Sequence, residues 1–377
     1  MQLFVQTCFC ISIYIMLKHK SILYLAVPLL FSSCSQHISP AAPGAVTENT
    51  VAVKPVYITE KVGFDSDDPA IWLNPKDASK SLVIGTDKSA TGALYVFDLQ
   101  GKIQQNLVVK GLKRPNNVDI AYGLRLNGQS TDIAVTTERF THKLRIYSLP
   151  DMKAVDGGGI PVFEGETGAE YRDLMGISIY TAKSGKMYAI VGRKTGPTAG
   201  SYLWQYLLSD NGAGQVKATL VRKFGVYSGK KEIESIAVDN ELGYIYYSDE
   251  QFGVRQYYAD PEKGNQQLAQ FGTTGFTEDH EGISIYKTSS RKGYILVSDQ
   301  GANRFQVFSR EGSAKDPFHH QLLKIVKVTA GHSDGSDVVN VPLNDTFKHG
   351  LFVVMSDDRT FHYYRWEDIA GSELTVK

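Results

Sequence analysis

Acidic and amide residues recur along this sequence at two kinds of position, each beside a short apolar run. One set begins an apolar run, and the other follows the next apolar run along the chain. Carboxylates gathered in one place repel each other and raise each other's pKa unless cations lie between them. The first set is Asp67, Asp68, Asn116, Asn117, Asp119, Asp173, Glu234, Asp279, Glu281, Asp334 and Asp337, and the second is Asp87, Glu138, Asp249, Glu250, Asp299, Gln300, Asp357 and Asp358.

Calcium is the cation that best suits such ligands. It accepts about six to eight oxygen ligands in flexible geometry, whereas magnesium requires an octahedron. Few histidines and no thiols stand among these positions, which argues against a zinc site. For any single residue the alternative is that Asp and Asn simply suit turns, but the turns between the two runs are mixed or basic. We therefore predict several calcium ions.

Four basic residues interrupt the acidic positions, all of them before residue 195: Lys88, Arg139, Arg193 and Lys194. Arginine binds phosphate oxygens through two parallel hydrogen bonds, and lysine acts as a point charge. Bases beside calcium sites therefore indicate a polyanionic ligand. The alternative is that these bases only pair with neighbouring carboxylates.

An internal repeat predicts the fold. Gly-Ile-Ser-Ile-Tyr occurs at 176–180 and again at 282–286, and similar strand starts divide the chain into units of 47 to 59 residues. In the first unit, apolar runs at 70–73, 81–86, 93–99 and 103–109 are separated by turns. Four strands per unit are typical of a propeller blade. The predicted units begin near Pro69, Val118, Gly176, Ser235, Gly282 and Asp337.

These units predict an all-β, six-bladed β-propeller. The last unit has three strands and ends near Trp366, so the strand predicted at 51–61 should complete it and close the ring. The alternative, a pair of β-sandwiches, does not require six equivalent units. In this arrangement the first-strand starts and second-strand ends meet at one mouth of the central channel.

The first 34 residues are predicted to be a targeting segment. Read from Met16, they contain basic residues, an apolar run at 22–31 and small residues before Cys34. This resembles a bacterial lipoprotein signal with Cys34 lipidated, the alternatives being an ordinary secretory signal or a membrane anchor. Residues 35–50 are predicted to be a flexible tether and 51–377 the propeller. We expect an exported cell-envelope protein, periplasmic, surface-bound or secreted.

Composition excludes other classes of function. The 40 basic and 40 acidic residues balance, which argues against a nucleic-acid partner bound through a broad basic face. The three cysteines lie at or before Cys34, so the remainder has no disulfide and no thiol nucleophile. We expect a monomer that contacts membranes only through its lipid anchor.

Several motifs resemble those of the β-propeller phytases, over roughly residues 51–371. The resemblance implies a calcium-dependent phosphohydrolase that acts on phytate, myo-inositol hexakisphosphate. It implies that water held between calcium ions attacks phosphorus in line, while metals and bases stabilise charge on the equatorial oxygens. The motifs are Asp65-Ser-Asp-Asp-Pro-Ala-Ile-Trp72, Asn116-Asn-Val-Asp119, Glu281-Gly282, Ser298-Asp-Gln-Gly301 and Trp366-Glu-Asp-Ile-Ala370.

The positions of the residues and the resemblance together assign roles to individual residues. Glu234, Glu281, Arg139 and Lys88 are expected to be catalytic. Substrate phosphates are assigned to Lys88, Arg139, Arg193, Lys194 and Tyr180. The calcium ligands are expected to be Asp67, Asp68, Asn117, Asp119, Glu234, Asp249, Glu250, Asp279, Glu281, Gln300 and Asp337.

The chain departs from the family pattern at three places. Ser89 follows Lys88 where a second lysine is usual, Met175 replaces an expected tyrosine, and His332 replaces an acid. These departures bear on substrate preference, calcium affinity and activity. Two other functions remain open: a calcium-dependent propeller lactonase or esterase, and a non-catalytic envelope propeller that binds glycans or proteins.

Overall fold

The first described elements are two short strands that precede the repeated units. The structure, a computed structural model, describes residues 46–377. Strands β1 (Thr47–Glu48) and β2 (Tyr57–Ile58) do not pair with each other. Each instead joins the outer edge of a sheet formed by a later part of the chain.

The first three repeated units each form a four-stranded antiparallel blade, because alternating apolar residues cover both faces of each sheet. Blade 1 contains β3 (Ser66–Trp72), β4 (Leu82–Asp87), β5 (Gly92–Phe97) and β6 (Val109–Leu112); blade 2 contains β7 (Pro115–Leu126), β8 (Gln129–Glu138), β9 (Lys143–Leu149) and β10 (Ile160–Pro161); blade 3 contains β11 (Leu174–Thr181), β12 (Met187–Arg193), β13 (Leu203–Asp210) and β14 (Val216–Phe224).

The last three units repeat this design, and a short helix α1 (Trp366–Ala370) follows them. Blade 4 contains β15 (Ile236–Asp239), β16 (Tyr244–Asp249), β17 (Gly253–Tyr258) and β18 (Ala269–Phe271); blade 5 contains β19 (His280–Lys287), β20 (Gly293–Asp299), β21 (Arg304–Ser309) and β22 (Leu322–Lys327); blade 6 contains β23 (Ser336–Val339), β24 (Leu351–Ser356) and β25 (Thr360–Arg365). Single 3₁₀ turns occupy Ala78–Lys80, Gln105–Leu107, Arg139–Thr141, Ala169–Arg172, Pro261–Lys263 and Gln300–Ala302.

The N-terminal strand closes the ring, as predicted. Strand β2 pairs antiparallel with β25, with Tyr57 opposite Tyr363, and so supplies the fourth strand of blade 6. The predicted six-bladed propeller is confirmed. Each pair of neighbouring blades encloses its own hydrophobic core, and the six cores together form a continuous ring.

Two predicted boundaries were wrong. The fourth strand of blade 1 begins at Val109, because residues 105–107 form a 3₁₀ turn and Ile103 makes only an isolated bridge to Phe97. The end of the predicted tether is also structured: β1 pairs in parallel with β22, and Glu48 forms an ion pair with Arg304 at 3.1 Å. Residues 1–34, Cys34 and most of the tether lie outside the described residues. Within residues 46–377, no helix has the length and hydropathy of a membrane span.

Candidate active site

A β-bulge at the start of the first strand carries the residues that line the channel mouth. In blades 1, 2, 3 and 5 the register between the first two strands shifts at the same place. A bulge leaves its extra residue unpaired and re-aims its side chain. The first bulge residues are Asp67, Asn116, Met175 and Glu281. Asn116 Nδ2 lies 3.1 Å from Asp67 Oδ2 and 3.2 Å from Glu234 Oε1, so three blades meet here.

The ends of the second strands supply a further ring of side chains. These residues occupy equivalent positions because one hydrogen bond recurs in each blade. The peptide N–H of the residue just after the second strand donates to a carbonyl that precedes the first strand of the same blade. Lys88 and Arg139 make this bond in blades 1 and 2, and Lys194 makes it in blade 3. Glu250 and Gln300 make it in blades 4 and 5. One part of the mouth is therefore basic, and the adjoining part presents a carboxylate and an amide.

Blades 4 and 5 form an acidic cluster that fits a cation. Oxygen atoms of Glu232, Glu234 and Glu250 lie within 4.8 Å of one another, as do those of Glu250, Asp279 and Glu281. Among residues 46–377, no hydrogen-bond partner reaches the buried Glu250 Oε1 or Glu281 Oε2. Buried carboxylate oxygens are normally paired or coordinate a metal. These hard oxygen ligands fit calcium.

Burial shifts the protonation of this cluster. Burial, reinforced by the charges of Glu234 and Glu232, raises the pKa of Glu250 to about 9. Burial and nearby carboxylates raise the pKa of Glu281 well above its ordinary value. Burial also raises the pKa of Glu234, although Lys88 opposes it. Without a cation, Glu250 therefore holds a proton at neutral pH.

The three bases of the mouth have different partners. Lys88 Nζ lies 2.8 Å from Asp67 and 2.5 Å from Asp334, so it joins blades 1 and 6. Lys194 is half exposed and lies 3.0 Å from Glu232. Arg139 is buried, and its Nε donates to Leu174 O at 3.0 Å while an Nη contacts the sulfur of Met175. These contacts position positive charge beside the acidic cluster.

Sequence comparison places this chain in a known family. The family model described as Phytase matches residues 19–365, which is most of the chain. The chain belongs to the phytase family. It is also similar to the 3-phytase of Bacillus subtilis (strain 168), with 29% identity over 324 residues that cover 81% of this chain and 80% of that protein. Membership makes the chain a phosphoric monoester hydrolase.

The phytase mouth brings together most of the predicted site residues. Those that line it or its acidic cluster are Asp67, Lys88, Arg139, Lys194, Glu234, Glu250, Asp279, Glu281 and Gln300. Asp68 and Asn117 lie next, just inside the channel. Asn117 Oδ1 is buried and, among residues 46–377, has no hydrogen-bond partner, so this amide oxygen is available to a cation.

Asp119 and Asp337 lie deeper in the channel and join neighbouring blades. Asp119 Oδ2 accepts from Ile179 N at 2.6 Å, and Asp337 Oδ2 accepts from Ile71 N at 2.8 Å. Burial raises the pKa of Asp119 to about 6 and that of Asp337 to about 7, although these hydrogen bonds act to lower both pKa values. Their geometry indicates a bracing role between blades, and their role as metal ligands stays a prediction.

The geometry argues against the predicted role of Asp249. Side chains alternate along a strand, so the last residue of a second strand points away from the channel when the next residue points into it. Asp249 Oδ2 accepts from Ser228 N at 2.9 Å and from Arg255 Nε at 2.8 Å, and Oδ1 accepts from Ser228 Oγ at 2.6 Å, so the side chain holds a loop. Its two oxygens are occupied by this bonding, whereas the adjacent Glu250 faces the acidic cluster.

Arg193 occupies the equivalent position in blade 3, and the predicted phosphate contact is again disfavoured. Its guanidinium is fully buried, 4.6 Å from the ring centre of Phe163. It donates to the carbonyls of Tyr171, Ser201 and Tyr202 and pairs with Glu166 at 3.1 Å. Few donors remain for a ligand, and the group instead ties together two loops.

Tyr180 lies at the wrong end of its strand for the predicted phosphate contact. It is opposite Tyr188 in the register of β11 and β12, next to the turn at 182–186. The mouth lies at the other end of β11, at Leu174. Tyr180 therefore belongs to the opposite face of the disc.

The three departures from the family pattern have structural consequences. Met175 takes the bulge position and contacts Arg139, while the adjacent Gly176 permits close approach of blade 4: a Cβ there would lie 1.9 Å from Glu234 O. Ser89 accepts from Arg114 N through its carbonyl oxygen. His332 is exposed, with its N–H held by Asn303 at 2.8 Å.

Four residues of the mouth were not assigned roles from the sequence: Asn116, Lys231, Glu232 and Asp334. Glu232 precedes Glu234 by two residues, the spacing that puts side chains on one side of an extended chain. That spacing was a usable signal. Lys231 carried no comparable signal, because it lies in a loop whose course depends on the surrounding blades.

Proposed function

We propose that this chain is a calcium-dependent phosphomonoester hydrolase that releases phosphate from phytate. The observation that carries the proposal is the division of the channel mouth into a buried acidic cluster and an adjoining set of bases at equivalent blade positions. Membership of the phytase family and similarity to a protein named 3-phytase support phytate as the substrate.

Five carboxylates would hold the metal: Glu232, Glu234, Glu250, Asp279 and Glu281. Bound calcium would polarise phosphoryl oxygens and lower the pKa of water at the site. The carboxylates keep the charge that holds the cation, and their burial excludes bulk water from around it. Because Glu250 belongs to both groups of ligands, it couples them.

The bases would bind and orient the substrate. The three bases Lys88, Arg139 and Lys194 each follow the second strand of their blade, and their blades are consecutive. They therefore present positive charge along one arc of the mouth. Phytate carries several phosphate groups on one ring, and an arc of bases can contact more than one of them. Contacts to equatorial oxygens stabilise the charge that these oxygens bear in the transition state.

Phosphate release tests the proposal directly. Phytate, a lactone and a simple carboxylic ester are each incubated with the protein, with calcium and with a chelator. We expect phosphate from phytate only with calcium. Calcium-dependent cleavage of the lactone or ester alone would indicate the alternative enzyme, and calcium binding without any turnover would indicate a binding propeller.

Arg193 and Lys194 should respond differently to substitution, although they are adjacent. Arg193→Met leaves three carbonyls and Glu166 without the partner that a fully buried guanidinium provides, so we expect a loss of about 3 kcal/mol or more in the free energy of unfolding. Lys194→Met removes one half-exposed ion pair, so its stability should change by less than about 1 kcal/mol. We expect kcat/KM for phytate to fall about tenfold in Lys194→Met. Denaturant titration and initial rates measure both effects, and equal stability losses would contradict the assignment.

We further propose that the chain is exported as a monomeric envelope lipoprotein anchored through Cys34. The support is the pattern of basic, apolar and small residues before Cys34. Cys34→Ala should move the protein from the membrane fraction to a soluble or unprocessed form. Intact-mass analysis of the mature protein should show a lipid on an N-terminal cysteine, and a mature chain without that mass would refute the anchor.

A further inference from the structure

Lys231 lies inside the acidic cluster. The other bases of the mouth instead follow the second strands of blades 1, 2 and 3. Its Nζ is 3.1 Å from Glu250 Oε2 and also forms an ion pair with Asp279. Both partners belong to the group of oxygens that fits a metal. The ammonium therefore contacts oxygens of the same carboxylates that would bind calcium.

An ammonium and a calcium ion compete for these carboxylates. Calcium takes several oxygen ligands at short range, and the Lys231 ammonium occupies one oxygen of Glu250 and one of Asp279. The two cations would also repel each other at this separation. Binding of calcium therefore favours a conformation in which the Lys231 ammonium has left the cluster.

Lys231 is free to make this movement. Its side chain is 38% exposed, whereas that of Lys88 is 17% exposed and lies between Asp67 and Asp334. Four rotatable bonds allow the ammonium to reach solvent at the mouth. A substrate phosphate near calcium would be its nearest new source of negative charge.

We propose that Lys231 is a further phosphate-binding residue, held by Glu250 and Asp279 until calcium displaces it. This inference rests on the proposed function. Lys231 supplies a base on the side of the mouth formed by blades 4 and 5. There Glu250 and Gln300 occupy the positions that bases occupy in blades 1 to 3. The same residue thus contacts Glu250 and Asp279 before calcium binds and the polyanion afterwards.

Lys231→Met separates the two roles because it keeps the length of the side chain and removes the charge. Lys230→Met is the matched control: it removes the same charge one residue away, from a lysine that donates to Gln251 O and lies over Phe252. Calcium affinity is measured by calorimetry without substrate. We expect Lys231→Met to bind calcium about tenfold more tightly, because no ammonium must be displaced, and Lys230→Met to change affinity by less than about twofold.

Binding of a non-hydrolysable polyanion tests the second role. With calcium saturating, myo-inositol hexasulfate should bind Lys231→Met about fivefold more weakly than the unmodified protein, and Lys230→Met nearly normally. Unchanged or weaker calcium affinity in Lys231→Met, or unchanged hexasulfate affinity, would overturn the proposal. Neither measurement needs turnover, so absence of phytate hydrolysis by the unmodified protein would count against the proposed function alone.

Discussion

Removal of calcium should abolish phytate hydrolysis and lower the melting temperature by roughly 16 °C. Each site contributes about 4 kcal/mol when calcium exceeds its dissociation constant about a thousandfold, and two groups of carboxylates share Glu250. A domain of this size shifts its melting temperature by roughly 2 °C per kcal/mol. Magnesium should restore little, because it requires octahedral geometry and loses its water reluctantly.

The loss of stability should depend on pH in a direction that the raised pKa values determine. In a chelator the folded protein holds a proton on Glu250 up to about pH 9, whereas the unfolded chain releases it near its ordinary pKa of 4.5. The stability that this proton carries is complete below pH 4.5 and is lost as pH rises towards 9. Asp337, whose pKa is about 7, acts in the same direction.

Thermal melts from pH 5 to 9, with calcium and with a chelator, measure both effects. We expect the two curves to approach each other at low pH, where protons replace calcium, and to separate as pH rises. Calcium should remove most of the decline. Identical melting curves and activity after thorough chelation would refute a metal at the mouth.

The fold was predictable because its determinants are local and repeated. The six strand starts, from Pro69 to Asp337, each follow a turn and begin an apolar run, so the blade count could be read from the chain. The closing strand could be inferred from the missing fourth strand of the last unit. The contact of β1 with β22 joins residues far apart in the chain, and no pattern in two residues predicts such a pairing.

The sequence predicted which pairs of adjacent residues lie at the channel mouth, but not which residue of each pair faces the channel. The sequence placed both Asp249 and Glu250 at the mouth, although adjacent strand residues point in opposite directions. Only the structure decides which of the two faces the channel, since a bulge or a turn resets the alternation. Arg193 and Lys194 show the same effect, with the buried arginine holding loops and the exposed lysine facing Glu232.

Tyr180 and Lys231 illustrate a second limit. Tyr180 was predicted to contact phosphate, but the register of β11 places it at the far end of the strand. Lys231 lies in a loop, and its approach to Asp279 joins two blades. Contacts of this kind depend on the packed ring and are absent from any single repeat.

Substitutions of Arg139 and Glu281 should both lower phytate turnover, but only that of Glu281 should weaken calcium binding. Arg139→Ala removes charge-assisted contacts to phosphate, so we expect kcat/KM for phytate to fall by roughly tenfold to a hundredfold. It also removes the hydrogen bond to Leu174 O, so some stability is lost both with and without calcium. The rise in melting temperature that calcium causes should remain nearly normal.

Glu281→Gln keeps the shape of the side chain and removes one charge from the acidic cluster. We expect turnover to fall by more than about a hundredfold and the calcium-induced rise in melting temperature to shrink. In a chelator at pH 8 this variant should melt at a higher temperature than the unmodified protein. The reason is that burial and neighbouring carboxylates make the charged form of Glu281 unfavourable, and glutamine never bears that charge.

Melting curves with and without calcium, and rates of phytate hydrolysis, distinguish these effects in both variants and the unmodified protein. Arg125→Ala is a suitable control for Arg139→Ala, because Arg125 donates to Gly128 O in the hairpin at the opposite end of blade 2 and should leave turnover unchanged. Near-normal phytate turnover by Arg139→Ala would end its assignment to substrate phosphate. A full calcium-induced shift in Glu281→Gln would end the assignment of Glu281 to the metal, because a lost ligand must weaken the binding that produces the shift.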